Sequence, residues 1–440
     1  MFDQRYRALS IGMVALFMLV AFEYLAVATA MPAVAAELNG NHLYSLAFSG
    51  GVAAALIATV LGGRWGDVRG PGAPLWTGLV AFLAGLTLAG AAPVMEVFLL
   101  GRFLQGFGGG MFDVAIYVLV GRIYPAAMHP RVFSLLAAAW VLPSVVGPAI
   151  TGFVTEHFSW RWVFLAVPIL AAPAVFALWR GLAGTAGQQQ EAVTEEPADT
   201  TDGGFRLRVA MGVLAAIGAG LLQYGSGSEN FVLIAAGLVV LAASLPRLLP
   251  PGTMRAARGL PSVVALRGIA AGSFLAAEVL VPLVLFDVRG LSPDQGGIAL
   301  TGGALFWSLG SWIQGRKPYR RKSLLAWGCG LIALGMAVTA PIVVPEAPVW
   351  LAFVGWSVAG LGIGVVYPVL SVLVLELSAP GEQGKNSASL AVGESVLTIV
   401  AIAVTGAIFT VSAAYALCFA LLVTMAAAGV LLAGRVTMEV

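Results

Sequence analysis

The sequence predicts an all-α, polytopic membrane protein, and three observations carry that reading. Of 440 residues 60% are hydrophobic and only 10% charged, with a mean hydropathy of +0.95, whereas a soluble domain holds roughly 25% charged residues. Apolar segments of about 20 residues recur from end to end, each long enough to cross a hydrocarbon core of roughly 30 Å as a helix; barrel strands would alternate and run about ten residues. The chain also repeats itself, which implies two similar helical bundles in tandem.

Taken in order, the predicted spans are 8–32, 43–63, 74–92, 97–120, 132–154, 160–179, 209–225, 230–248, 262–286, 296–315, 323–344, 349–375, 386–409 and 412–434, fourteen in all. Arg5 and Arg7 precede the first, and "AVA" at 26–28 imitates a signal-peptidase site. A signal h-region runs only about 7 to 15 residues, so 8–32 is read as a span. In the fifth, Pro148 follows Gly147; its missing backbone donor predicts a kink there. Segments 209–248 read either as two crossings or as a re-entrant pair, with the same sidedness for the rest.

Lys and Arg collect on cytoplasmic loops. With the N-terminus inside, every cation of the 23 falls on a cytoplasmic segment except Arg102, Arg161, Arg267 and Arg289. Both termini are therefore expected in the cytoplasm. Residues 181–207 are polar, Gly-rich and acidic, and read as a flexible linker. A net charge of +2 and no basic patch interleaved with aromatics exclude a nucleic-acid partner. Cys329 and Cys418 lie in separate apolar segments, and His42, His129 and His157 fall in predicted loops, so no metal site is expected. An intramembrane hydrolase lacks a nucleophile with a plausible His partner.

The repeat pairs "LAFSGGVAAALIATVLGGR" from 46 with "IALTGGALFWSLGSWIQGR" from 298, an offset of 252. "QGFGGG" at 105–110 pairs with "AGLGIG" at 359–364 at an offset of 254, as does Thr151-Gly152 with Thr405-Gly406. The domains expected are 1–180 and 262–440, each a six-helix bundle, with 181–207 as linker and 208–261 as an inserted helix pair. Tandem six-helix repeats with a site between them are a transporter architecture.

Several motifs then carry a family resemblance. "FEYLAVATAMP" at 22–32 resembles the first-helix motif L-D-x-T-I-V-N-V-A-L-P of the fourteen-helix drug:proton antiporters in the major facilitator superfamily, with Glu23 in the place of the acid. "GRWGDVRGPG" at 63–72 resembles the superfamily loop G-x-x-x-D-R-x-G-R-R through Gly63, Asp67 and Gly70, with Arg69 shifted by one and the closing basic pair replaced by Pro71-Gly72. "LLGRFLQGFGGG" at 99–110 resembles the fourth-helix motif and supplies Arg102, Gln105 and Gly106. "WVLPSVVGPAITG" at 140–152 resembles the fifth-helix antiporter motif and supplies Gly147, Pro148 and Gly152. The resemblance implies a two-bundle fold with two extra linker helices and proton-coupled efflux.

Ionisable residues give an independent reading, because an acid near the bilayer centre costs about 2.5 to 3.5 kcal/mol on insertion scales and is a functional candidate by default. The predicted spans hold Glu23, Asp113, Glu278, Glu394, Arg102 and Arg267. Burial favours a neutral carboxyl and a neighbouring Arg the charged one, so an acid that alternately meets Arg and solvent is a proton-coupling device. Arg102 and Asp113 lie close to three turns apart on one face of the fourth helix, and Arg267 and Glu278 repeat that spacing. Glu23, Arg102 and Asp113 are assigned to proton coupling, although Asp113 also suits a watery vestibule. Phe22, Gln105, Trp140, Glu278, Trp307, Tyr367 and Glu394 are assigned to the substrate cavity, with Tyr24 a further aromatic. Gly63, Asp67, Arg69, Gly70, Gly147, Pro148 and Gly152 are assigned to conformational motifs, Asp67 latching one state from the start of the third helix. Arg267 is expected to snorkel to the interface, and Glu376 and Glu382 to be solvated helix ends. Gly106, Gly108, Gly110, Gly360, Gly362 and Gly364 are expected at close helix crossings.

The expected function is a secondary active transporter, not an enzyme, exporting lipophilic or cationic small molecules in exchange for protons. It needs no cofactor beyond a proton gradient and works as a monomer in the cell (inner) membrane. A proton symporter or facilitator for a nutrient or lipid is the alternative, and a transport-inactive membrane sensor or scaffold the alternative of another class.

Overall fold

The computed structural model describes residues 4–40, 43–183, 202–228, 230–291, 293–316, 320–412 and 414–436. Fifteen α-helices follow one another among them: α1 (Gln4–Glu37), α2 (Tyr44–Arg69), α3 (Gly72–Gly90), α4 (Met95–Ile123), α5 (His129–Ala138), α6 (Val141–His157), α7 (Arg161–Ala183), α8 (Asp202–Gly227), α9 (Phe231–Leu248), α10 (Leu260–Asp287), α11 (Pro293–Arg316), α12 (Arg321–Thr339), α13 (Trp350–Glu376), α14 (Gln383–Ser412) and α15 (Tyr415–Leu432). Helices α1–α7 pack among themselves, with α4 against both α2 and α3; α10–α15 pack likewise, with α13 against both α11 and α12. The inserted α8 and α9 pack on each other, α8 lying against α2 and α14.

Local signals account for several boundaries. Gly70, at φ 81°, ends α2 so that Pro71 can lead into α3. Asn230 caps α9 through Oδ1, which accepts from the backbone N–H groups of Val232 and Leu233, satisfying donors that a helix start leaves open. The expected linker at 181–207 is helical at both described ends, since α7 runs to Ala183 and α8 begins at Asp202; 184–201 lie outside the described residues. His42 does too. His129 is no loop residue: it opens α5, is buried, and meets the Tyr124 carbonyl through Nε2 at 2.8 Å.

The fifth predicted span is not one helix. It breaks between Ala138 and Val141, one turn before Pro143, whose ring crowds the carbonyl four residues back and supplies no N–H. The break therefore belongs to Pro143, and α6 continues through Pro148, where the kink was expected.

Twelve segments among the described residues are long and apolar enough to cross a membrane, α8 and α9 included; α2 and α11 fall outside that set. Both are rich in glycine, which adds little hydropathy and lets them lie close to α4 and α13. A Cβ on Gly106 would meet the Gly51 carbonyl and one on Gly110 that of Ala55; in the second repeat Gly360 meets Gly303 and Gly364 meets Trp307 in the same way. Gly108 and Gly362 make the equivalent approaches to α3 and α12. The same crossings recur at the repeat offsets, so the sequence repeat is a structural one. Gly106→Leu and Gly360→Leu are each expected to cost about 1–3 kcal/mol or more, read as similar drops in unfolding temperature in detergent. Gly152→Ala, with nothing within 4 Å of its Cβ, serves as the unaffected control.

Candidate functional site

Glu23 lies midway along α1 and is buried, 4% exposed. Its Oε1 accepts from Arg102 Nη1 of α4 at 2.6 Å, and the same nitrogen donates to Gln105 Oε1. Arg102 Nε reaches the Ala47 carbonyl at 3.4 Å. Gln105 sits one turn beyond Arg102 on α4 and is 2% exposed, so it orients the guanidinium and does not line a cavity as expected. A buried pair of this kind is stable only while its geometry and hydrogen bonds are complete.

A second pair lies between α10 and α14. Arg267 Nε donates to Glu394 Oε2 at 2.7 Å, and Nη1 to the Tyr367 carbonyl at 3.1 Å and to Ser371 Oγ at 3.3 Å. Tyr367 OH donates to Glu394 Oε1 at 2.7 Å, and the guanidinium lies over the Tyr367 ring, 3.4 Å from its centroid. Arg267 is 6% exposed, which corrects the expectation that it snorkels: the Glu394 carboxylate inside the bundle gives it a closer partner than the interface does. Trp307 packs edge-on against both Tyr367 and Phe274, more as a wall of this cluster than as an open lining.

The same-helix spacing of Arg102 with Asp113, and of Arg267 with Glu278, brings no pair together. Each arginine takes its acid from another helix. Asp113 and Glu278 are half-buried and neither accepts a hydrogen bond among the described residues. Asp113 lies within electrostatic reach of Arg267 and Glu394, and Glu278 within reach of Tyr24 in the other repeat. Tyr24, 64% exposed, meets Trp140 edge to face, with ring centroids 5.8 Å apart. Trp140 occupies the break between α5 and α6. Phe22 is half-buried, and a Cβ on Gly147 would touch its ring at 3.7 Å. Helices α1 and α10 face each other here without extended packing.

Closure between the repeats is concentrated at one membrane face, the one carrying Arg69, Arg122, Arg208 and Lys385, called the basic face below. Asp67 accepts from the backbone N–H groups of Gly384 at 2.6 Å and Lys385 at 2.7 Å. These are the second and third residues of α14, the donors a helix cap serves, so Asp67 caps a helix of the other repeat. It does so from the last turn of α2, not the start of the third helix, and Gly63 one turn earlier lies against Gly384 and Ala388. Burial pushes the Asp67 carboxyl up to about 6, while the two N–H groups pull it down. Arg69 is exposed; the cation beside the motif is Arg122, which donates to the Asp67 carbonyl at 2.9 Å. Ser134 Oγ donates to the Ser311 carbonyl at 2.6 Å, adding a second seam between α5 and α11. Glu376 and Glu382, expected as solvated ends, pair with Arg321 and Lys385.

Sequence reasoning missed Tyr117, whose OH lies 3.0 Å from Ser371 Oγ. Its signal was present: Tyr117 and Ser371 occupy the same position in the two repeats, at the offset of 254.

This two-repeat arrangement, with acid–guanidinium pairs buried between helices, agrees with comparison to known proteins. The family model described as Major Facilitator Superfamily matches residues 13–401. The chain belongs to the Major Facilitator Superfamily. It is a multi-pass membrane protein. It is 27% identical over 377 residues to an uncharacterized MFS-type transporter of Mycobacterium tuberculosis (strain ATCC 25618 / H37Rv), across 80% of this chain, and it spans about half, 52%, of that relative's length. It is 24% identical over 373 residues to the multidrug transporter protein MdtP of Bacillus subtilis (strain 168), covering 82% of this chain and 68% of that one. Among solved structures, the human organic anion transporter MFSD10 (TETRAN) superposes with a TM-score of 0.75 at 13% identity, covering 97% of this chain and 99% of that one. The proton:xylose symporter XylE follows with 0.67 at 15% identity, covering 98% and 95%. At such identities these two likenesses concern the fold alone.

Proposed function

We propose that this superfamily member is a proton-coupled exporter of amphipathic or lipophilic small molecules, spanning the cell (inner) membrane fourteen times as a monomer. The fourteen are the twelve apolar segments together with α2 and α11. In this reading the basic face is cytoplasmic and both termini lie there, so the conformation is outward-facing. The observation that carries the proposal is the Glu23–Arg102 pair, 2.6 Å long and buried between α1 and α4. Intramembrane acids are expensive unless they bind something, and this one is held across two helices by the Arg102 guanidinium. Arg102 tunes Glu23, and Asp113 is the second acid of the path. Glu278, which has no hydrogen-bond partner among the described residues, and the rings of Phe22, Tyr24 and Trp140 suit a lipophilic cation. The kinship with MdtP and with a probable multidrug-efflux transporter of M. tuberculosis, 26% identical over 390 residues, supports the substrate class. The proton gradient supplies the drive, and the two repeats rock about the central site.

The test uses purified protein in liposomes with an imposed pH gradient. Adding lipophilic cationic dyes is expected to dissipate the gradient faster than in protein-free liposomes, in proportion to dye moved. Dye movement that leaves the gradient untouched would sink proton coupling; no movement of any amphipathic compound would sink the substrate class.

A further inference from the structure

Tyr117 on α4 and Ser371 on α13 are repeat equivalents that touch each other, their oxygens 3.0 Å apart. A contact between equivalent residues lies on the axis relating the repeats, so Asp113 and Tyr367, also 254 apart, flank that axis one turn away. Donor counting fixes the direction of the bond. Ser371 Oγ gives its single hydrogen to the Tyr367 carbonyl at 3.0 Å and accepts from Arg267 Nη1 at 3.3 Å. Either hydroxyl could donate across the contact; with the Ser371 hydrogen on the Tyr367 carbonyl, one acceptor site is left and Tyr117 OH is the donor into it. The Tyr117 donor is thus committed to the opposite repeat. Meanwhile Asp113, four residues earlier on the same face of α4, receives no hydrogen bond among the described residues. Tyr117 lies within electrostatic reach of Asp113 one turn earlier, and its ring packs against Phe133 of α5 with centroids 5.0 Å apart.

We propose that Tyr117 is a donor switch: its hydroxyl serves Ser371 while the basic face is closed and Asp113 once α4 and α13 part. A donated hydrogen bond favours the charged carboxylate. Asp113 therefore keeps its proton in the closed form and, on opening, its O–H bond breaks and the proton passes to water at the basic face. Tyr117 stays protonated throughout and acts as a positioning residue. The charged groups within electrostatic reach of Asp113 are Arg267 from α10 and Glu394 from α14, with Tyr117 on its own helix; among the described residues α1, α2, α3, α5 and α13 present no charge to it. The inference rests on the proton-coupled reading above and adds to it the residue that ties proton release to gate opening.

The experiment places spin labels at Arg69→Cys and Ala379→Cys, both exposed at the basic face, in a Cys329→Ala, Cys418→Ala background of the full chain in nanodiscs. It needs neither substrate nor gradient. The open-to-closed ratio at the basic face is expected to rise from acid to alkaline pH. Asp113→Asn should cut that rise about tenfold, as expected for one charge-assisted hydrogen bond. Tyr117→Phe should cut it equally, and the double substitution no further. Ser371→Ala should raise the open fraction at acid pH and flatten the pH response, because Tyr117 is then free to serve Asp113 in the closed form as well as in the open one. Additive effects of Asp113→Asn and Tyr117→Phe, or an undiminished response in Tyr117→Phe, would overturn the switch. A response that survives Tyr117→Phe while liposomes still exchange protons removes only the switch; failure of both experiments removes proton coupling itself.

Discussion

Glu23→Gln is expected to abolish proton-driven efflux while downhill movement of substrate persists. Gln keeps the shape of Glu and an oxygen for Arg102 Nη1, so the helices still assemble, but it cannot exchange a proton. The substitution leaves the Arg102 charge without its partner in a site where Glu23 is 4% exposed; breaking a buried pair costs up to about 3–5 kcal/mol. Loss of transport alone is therefore ambiguous between lost coupling and lost stability. The double variant Glu23→Gln, Arg102→Gln separates them, because removing both charges relieves the uncompensated cation and unfolding temperature should recover. Coupling should stay lost. If counterflow of dye survives in both variants and gradient-driven accumulation survives as well, Glu23 has no part in proton coupling.

The legibility of this fold came from periodicity and repetition, which are properties of a linear chain. Spans, the repeat offsets and the glycine crossings at Gly106 and Gly360 are all visible without coordinates, since glycine in an apolar helix has few uses besides close approach. Partner choice is not visible. Arg102 meets an acid 79 residues away and Arg267 one 127 away, while the same-helix spacings that suggested Asp113 and Glu278 place residues on one face without deciding which neighbour that face meets. The proline error has a similar source: Pro143 and Pro148 are both poor helix residues, and only packing decides which turn yields. Asp67 was legible as a motif residue. That it caps α14 of the other repeat required knowing where that helix begins.

Asp67 also yields the second large effect: Asp67→Ala is expected to open the basic face. The alanine removes both acceptors from the Gly384 and Lys385 N–H groups. Losing a cap costs about 0.5–2 kcal/mol, which converts to a roughly two- to thirtyfold rise in the open-to-closed ratio. Asn in place of Asp offers one oxygen instead of two and should fall between alanine and wild type. The latch is suited to being broken in every cycle. Burial pushes the carboxyl up to about 6 while the two N–H donors pull it down, and a cap of this kind is worth only about 0.5–2 kcal/mol. Gly63→Ala reaches the same outcome by another route, since its Cβ would run into the Gly384 carbonyl and the Ala388 methyl and so oppose closure sterically with the cap intact. Spin-label distances between Arg69→Cys and Ala379→Cys measure both variants. A distance that lengthens in Gly63→Ala but stays at the wild-type value in Asp67→Ala would show that packing alone, without the helix cap, holds the basic face shut.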